Sequence, residues 1–339
     1  MVSGFDSFRF HQKATLYKSL IIKIKQLFSK KIHLAQKNWT MKKRNAILFF
    51  AAILVIGCQK NEADYYRGLT DGFCIVADDK VVLNHNNIEY YDYSTHLIYL
   101  KDNKSFVADI QSVGNFKVFA NKEQIYTGQT FPGYSSFLPS GPVIRSHPSG
   151  FGDYIVPLSF IQIIDKFGNA LPDPREDERI VKALKKYNQF HAGLSCEIKS
   201  VQYLSSNNVK VVLLLKNNDS FNYYYLNPDK MSVNLFHYFT NGLFIRDFNN
   251  AKAYTHKIKP VQPVPWNSWQ KDWLSIINGN ESKTITITYD NFEEVTPGQY
   301  KANFQYPGLI YQVDKKDVQQ DNGQIWLGEL NMIKDLTIE

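Results

Sequence analysis

After residue 72 the sequence falls into short aromatic and β-branched runs, each closed by Asp, Asn, Gly or Ser: FCIVADD, KVVLNHN, IEYYDYS, HLIYLKD, FKVFANK and IVPLSFIQIID. Runs of this kind are short for helices and carry the residues that fit a pleated, half-buried surface. The turn formers between them reverse the chain before a helix can propagate. A mainly β fold follows, with an N-terminal β-rich domain over 71–172. Inside it, TFPGYSSFLPSGPVIRSHPSGFGD (130–153) is punctuated by Pro and Gly and reads as a long loop or irregular crossing. Long loops in compact domains are often functional, which makes His147 a candidate ligand contact.

One amphipathic helix is expected between the β-rich regions, over 173–194. Asp173 offers an N-cap, Pro174 suits the first helical position and Glu176 the capping box. Ile180, Val181, Leu184 and Tyr187 recur on one face, Gly193 ends the segment, and Lys182, Lys185 and Lys186 point to solvent.

From 195 to 339 a second β-rich domain is expected. CEIKSVQYL and VKVVLLLKNND read as strands, the latter with an apolar run suited to burial. KTITITYD alternates strictly and should keep one face in water, and QIWLGELNM is the expected last strand. The order Val295-x-Pro297-Gly298-x-Tyr300 resembles the tyrosine corner of immunoglobulin and fibronectin type III sandwiches. That resemblance implies an Ig-like sandwich in which the Tyr300 hydroxyl bonds back to the preceding turn. The Cys…Trp…Cys signature of true immunoglobulin domains is missing.

Ahead of these domains lies MKKRNAILFFAAILVIGCQKN, starting at residue 41. Lys42, Lys43 and Arg44 form a positive patch, and Ala46 to Gly57 is apolar without a break. That run is too short to span a bilayer as a helix, which needs about 20 apolar residues, and has the profile of a secretory signal. Val55-Ile56-Gly57-Cys58 resembles the lipobox of bacterial lipoproteins, with Val55 where Leu is preferred. The resemblance covers 41–58 and implies a 41–57 signal peptide cut before Cys58, whose sulfur takes a diacylglyceryl group and whose new amino group is acylated with a palmitate-type chain. Several acyl chains together give stable anchoring. Residues 58–70 would then be a polar tether, and 1–40 an upstream extension ahead of a start at Met41. The Leu16, Leu20, Ile24 and Leu27 spacing also allows a basic amphipathic helix there.

This division changes the charge argument. The whole chain carries 39 Lys and Arg against 32 Asp and Glu. Residues 1–57 hold 11 of the basic residues and one acid, Asp6, leaving 28 basic and 31 acidic residues in the remainder. The mature balance near −3 removes the electrostatic case for nucleic acid.

Chemistry-bearing motifs are scarce. Zinc-ligand spacings, a nucleophile elbow and a Walker loop are all missing, so no metal or cofactor is expected. Asp78-Asp79 and Glu293-Glu294 are neighbours, which on a strand face opposite sides and cannot alone form a glycosidase pair. Asp165, Asn169 and Asp173 are better explained by a turn and a cap than by calcium. His191 reads as an isolated structural group. Trp266, Trp269 and Trp273 stand at i, i+3 and i+7, so a helix there would align them on one face, buried or as a platform for a glycan. Cys74 and Cys196 leave two alternatives open, a disulfide or two free thiols. The resulting expectation is an outer-membrane lipid-anchored envelope protein, on the periplasmic or the surface face, that binds or scaffolds a glycan or envelope protein. The rival is a secreted hydrolase acting on an envelope glycan or other polymer.

Overall fold

In the computed structural model, residues 68–132, 139–146, 150–163, 170–205, 207–247, 252–309 and 313–339 are described. Cys58 and His147 lie outside them, as does the whole segment 1–67. The fold is mainly β, as the run cadence requires.

The first sheet is assembled from β1 (Phe73–Ala77), β2 (Lys80–Leu83), β3 (Ile88–Asp92), β4 (Leu97–Leu100), β5 (Asn115–Ala120), β6 (Glu123–Phe131), β7 (Gly141–Arg145), β8 (Ile155–Ile161) and β9 (Phe190–His191). Their spatial order is β2-β1-β5-β6-β7-β8-β4-β3-β9. Two hairpins explain themselves locally. Asp78 and Asp79 have φ of 49° and 59°, Asn121 and Lys122 of 50° and 70°. Both pairs occupy the left-handed region that a two-residue turn between twisted strands demands, and Asp and Asn tolerate it best. The adjacent carboxylates Asp78-Asp79 are therefore a turn.

β7 corrects the expectation of an irregular crossing at 130–153. Gly141–Arg145 is buried up to Ile144, and it pairs parallel with β6 and antiparallel with β8. Its Pro142 masked the strand signal, because proline normally marks an edge or a break. Strand β8 divides its partners: Ile155–Pro157 pair with β4 and Leu158–Ile161 with β7. It thus joins two halves of the sheet around a core that includes Phe73, Ile75, Tyr91, Ile98, Phe116 and Val118.

A short helix, α1 (Phe106–Asp109), is capped by Ser105, whose hydroxyl accepts from Ala108 N. The connecting helix is shorter than its sequence suggested. Asp173 caps only a 3-10 turn, Pro174–Glu176, and the helix α2 (Glu178–Lys185) begins after a second cap, Asp177. Each aspartate accepts from the N–H two residues on and is gripped by that residue's guanidinium: Asp173 by Arg175, Asp177 by Arg179. Ile180, Ala183 and Leu184 are buried against the first core, which at about 1.5–3 kcal/mol per large aliphatic side chain fixes the helix where it lies.

The remaining strands are β10 (Leu194–Ser205), β11 (Asn208–Asn217), β12 (Tyr223–Leu226), β13 (Gly242–Asp247), β14 (Ala253–Thr255), β15 (Leu274–Ile277), β16 (Ser282–Tyr289), β17 (Gly298–Tyr306), β18 (Gln319–Gln320), β19 (Gly323–Ile325) and β20 (Leu330–Ile338). Sheets β10-β11-β16 and β14-β13-β17-β20 contribute to one core. Val209, Val211, Leu213 and Leu215 of β11 meet that core with Ile285 and Ile287 of β16, Leu243 and Ile245 of β13, and Phe304 of β17. The apolar run of β11 is buried on alternate residues, with Val212 and Leu214 half-buried between them. In β16 the alternation is as expected: Thr284, Thr286 and Thr288 face water. Tyr300 Oη donates to Thr296 O at 2.7 Å, closing the turn ahead of β17.

A third sheet, β15-β12-β19-β18, is built from the connections between sandwich strands. Strand β12 lies between β11 and β13, β15 between β14 and β16, and β18 and β19 between β17 and β20. Two further short helices, α3 (Val233–Phe236) and α4 (Lys315–Val318), sit in the same connections. QIWLGELNM therefore is not one strand: Gln324 and Ile325 end β19, and β20 starts at Leu330. Tyr90, Leu97, Tyr99 and Ile155 of the first sheet join the sandwich core, and the described residues within 62–339 form one compact unit.

Candidate functional site

The third sheet meets the first through buried polar contacts. Trp326 Nε1 donates to Asp92 Oδ2 at 3.1 Å, and Gln324 Nε2 to Tyr90 Oη at 2.5 Å. At the periphery Tyr154 Oη donates to Val313 O, and Lys315 pairs with Asp102 and Glu89.

The turn after α2 delivers β9 to this junction. Asn188, at φ 55°, ends the helical segment, and β9 then runs parallel to the end of β3, pairing Asp92 with His191. Gly193 follows at φ 72°, and a Cβ there would lie 2.2 Å from Ser94 Oγ and 2.3 Å from Asp92 Oδ1. Only glycine combines that backbone with that closeness. The Ala192 and Gly193 N–H groups donate to the Asp219 carboxylate at 2.8 and 2.7 Å, as does Tyr223 Oη at 2.9 Å. Residues 190–193 are thus held between two carboxylates.

Asp92 is only 2% exposed and accepts from Ser94 N, Ser94 Oγ and Trp326 Nε1. Burial pushes its pKa up to about 6 against the pull of the Ser94 bonds. Burial also lowers the pKa of His191, partly countered by the Asp219 charge, so the imidazole is neutral near pH 7. The His191 ring stacks on Tyr90 at 4.3 Å, Tyr90 on Tyr99 at 4.0 Å, and Phe221 leans on the imidazole at 4.6 Å.

In front of His191 opens a cleft of about 480 Å³. Ser220, Phe221, Asn222, Gln319 and Asn322 line it, with Gly323 and Gln324 of β19. Every lining group is neutral at pH 7. Asn222 is fixed by giving its amide to Asn322 O and accepting Gly279 N. The Ser220 hydroxyl and the Asn322 side chain form no hydrogen bond among the described residues. Among the described histidines, His191 is the one with a buried ring nitrogen, Nδ1, that has no partner. His85, His96, His237 and His256 all bond through the ring. Amides and a hydroxyl beside an aromatic face suit a neutral, polyhydroxylated ligand. Both carboxylates stand behind the wall with their oxygens engaged.

A second, wider groove of about 860 Å³ runs beside β15 and carries Lys230, Lys271 and Lys283. Its cations are largely engaged: Lys230 with Leu274 O, Lys283 with Glu281, and Lys271 over the Tyr224 ring at 5.8 Å.

The residues singled out from sequence are scattered. Trp266, Trp269 and Trp273 do not share a helical face, because the segment before the 3-10 turn Lys271–Trp273 is irregular. Trp273 is buried, Trp269 packs half-buried on the sandwich core, and Trp266 is exposed. Cys74 and Cys196 are both free thiols, one in a small cluster with Val76 and Phe119, the other against the sandwich core. Among the described residues no group of His, Cys, Asp and Glu could hold a metal ion. Nothing in the sequence groups His191 with Asp92 and Asp219. The one signal was local: Asn-Asn-Asp-Ser at 217–220 and Gln-Gln-Asp-Asn-Gly-Gln at 319–324 are concentrations of polar side chains that both reach the cleft.

No family profile matches the chain, and no curated protein matches it. Among solved structures, two of β-glucosidase from Kluyveromyces marxianus, one selenomethionine-labelled and one in complex with glucose, align at 11% identity and a TM-score of 0.21. The alignment covers 43% of this chain and 14% of theirs. At that TM-score the likeness carries no argument about fold or ligand.

Proposed function

We propose that this is a lipid-anchored protein of the bacterial cell envelope that binds a neutral glycan without turning it over. The charge-free lining of the His191 cleft carries the reading. Amide and hydroxyl groups exchange their water for sugar hydroxyls at little desolvation cost, and the apolar sugar face packs against Phe221, which is backed by His191. Hydrolysis by paired carboxylates needs an acid and a base facing each other across the substrate. Asp92 and Asp219 instead spend their oxygens on backbone, indole and hydroxyl donors. The anchor rests on the lipobox-like stretch ending at Cys58 and on the basic, apolar leader before it. The sandwich is inferred to be Ig-like. Assigning β10, β11, β13, β14, β16, β17 and β20 to strands A, B, C, C′, E, F and G reproduces the ABE and C′CFG sheets, with Tyr300 opening strand F. On that assignment the loops of one end, which carry ligand sites in variable domains, form the third sheet and the cleft.

Calorimetric titration of the 59–339 chain with neutral oligosaccharides, N-acetylglucosamine oligomers included, tests the binding. Asn322→Ala and Phe221→Ala should each weaken it by about tenfold, the loss of one polar or stacking contact of roughly 1.4 kcal/mol. No binding across the set, or binding indifferent to both variants, sinks the cleft. Released reducing ends would favour the hydrolase. Intact-mass measurement of membrane-extracted protein beside a Cys58→Ala variant tests the anchor separately.

A further inference from the structure

Among the described residues, four of the eight large apolar side chains left exposed cluster: Val233 at 40%, Val261 at 53%, Val264 at 93% and Trp266 at 53% exposure. They share a location because the 259–266 loop is tied to α3 and its flank. Val261 N donates to Asn234 O, Asn234 Nδ2 to Lys259 O, and Tyr238 Oη to Trp266 O. Pro260, Pro263 and Pro265 punctuate the loop, restricting its backbone so that its valines are displayed rather than folded inward. Trp269 and Trp273, just beyond, turn into the core, so the exposure of Trp266 is local.

Charge around this tip runs against the rest of the chain. Residues 252–271 contain Lys252, Lys257, Lys259 and Lys271 and not a single Asp or Glu, although the region after Cys58 carries a net negative charge. Lys257 and Lys259 are exposed at the base of the tip. Asp229 and Asp272 lie in the nearby 3-10 turns, and Glu293 accepts from Thr255 N two residues before Lys257. We propose that the 257–266 loop is an interfacial tip that inserts Val264 and Trp266 into an anionic lipid surface while Lys257 and Lys259 meet the headgroup phosphates. A bilayer offers apolar depth under an anionic layer with no shape requirement, which suits a convex, proline-stiffened loop. Tryptophan is the side chain that favours the boundary between the two. This contact belongs to the polypeptide itself and adds to whatever Cys58 provides.

Because the proposal does not depend on acylation, its test uses the unlipidated 59–339 chain, whose cores lie within the compact unit of residues 62–339. The chain should sediment with vesicles of phosphatidylethanolamine and phosphatidylglycerol, more weakly with phosphatidylcholine, and less as salt rises. Val264→Asp, Trp266→Ala and the double change Lys257→Glu with Lys259→Glu should each cut the bound fraction by about tenfold, with unchanged melting curves. Failure to sediment at low salt, or variants that bind like the parent, would overturn the proposal. So would a dimer in sedimentation velocity that Val264→Asp dissolves, which would make a second copy the occupant, or a large drop in melting temperature for Val264→Asp, which would make the tip part of the core.

Discussion

Asp92 accepts the indole N–H of Trp326 at 3.1 Å across 234 positions of sequence, and both side chains are buried. One is the last residue of β3, in the first sheet; the other follows β19, in the third. This bond, with Gln324 to Tyr90 beside it, joins the end of the sandwich to the first sheet and holds the wall behind the cleft.

Trp326→Phe removes the donor and leaves a buried carboxylate oxygen short of a partner. The expected loss is about 1–3 kcal/mol for the unsatisfied group, plus a smaller cost for the missing ring volume. Urea unfolding of the 59–339 chain measures it. A loss under about 0.5 kcal/mol would mean that the bond contributes no net stability.

The same carboxylate predicts a pH dependence. Its folded pKa, about 6, lies above the ordinary 3.8. The native state therefore holds the proton more tightly than the unfolded chain. The contribution of Asp92 to stability is fully present below about pH 4, falls as pH rises to about 6, and stays at its lower level above. Asn mimics the protonated carboxyl, so the stability difference between Asp92→Asn and the parent should grow by about 2–3 kcal/mol between pH 4 and pH 6.5. Parallel stability curves across that range would show that Asp92 keeps an ordinary pKa.

Tyr300→Phe keeps the ring in the sandwich core and deletes the hydroxyl that bonds Thr296 O. A loss of about 0.5–1.5 kcal/mol is expected in thermal or urea unfolding, with the native far-UV spectrum unchanged. An unaltered midpoint would show that the corner is geometry without energetic weight.

That corner was legible because its spacing is local and its chemistry specific. The wet threonines of β16 were legible for the same reason: period-two alternation needs only neighbours. The start of α2 lies one turn beyond the first cap signal, since Asp173-Pro174-Arg175 and Asp177-Glu178-Arg179 are tandem caps of the same Asp-x-Arg form. Nothing local separates the one that starts a 3-10 turn from the one that starts the helix. β7 was lost behind Pro142. The third sheet and the cleft were illegible because they are assembled from three separate connections. The contact of His191 with Phe221, and of Asp92 with Trp326, depends on how those connections meet.

The two thiols supply the last prediction. A disulfide requires Cα atoms within about 7 Å, and Cys74 sits in β1 of the first sheet while Cys196 sits in β10 of the sandwich. Both are free, and burial raises the pKa of each: Cys196 to about 12, helped by the Glu197 charge, and Cys74 in spite of its bonds to Thr70. The thiolate is the nucleophile, so raised pKa values and poor access both suppress alkylation. The native 59–339 chain should resist iodoacetamide at pH 8 for hours, and without reductant should take up two adducts once unfolded in urea. The two readouts separate the alternatives. Rapid labelling of the folded chain would place a thiol at the surface, and no labelling of the unfolded chain until reductant is added would reveal a bridge between Cys74 and Cys196, which would require the first sheet and the sandwich to pack differently.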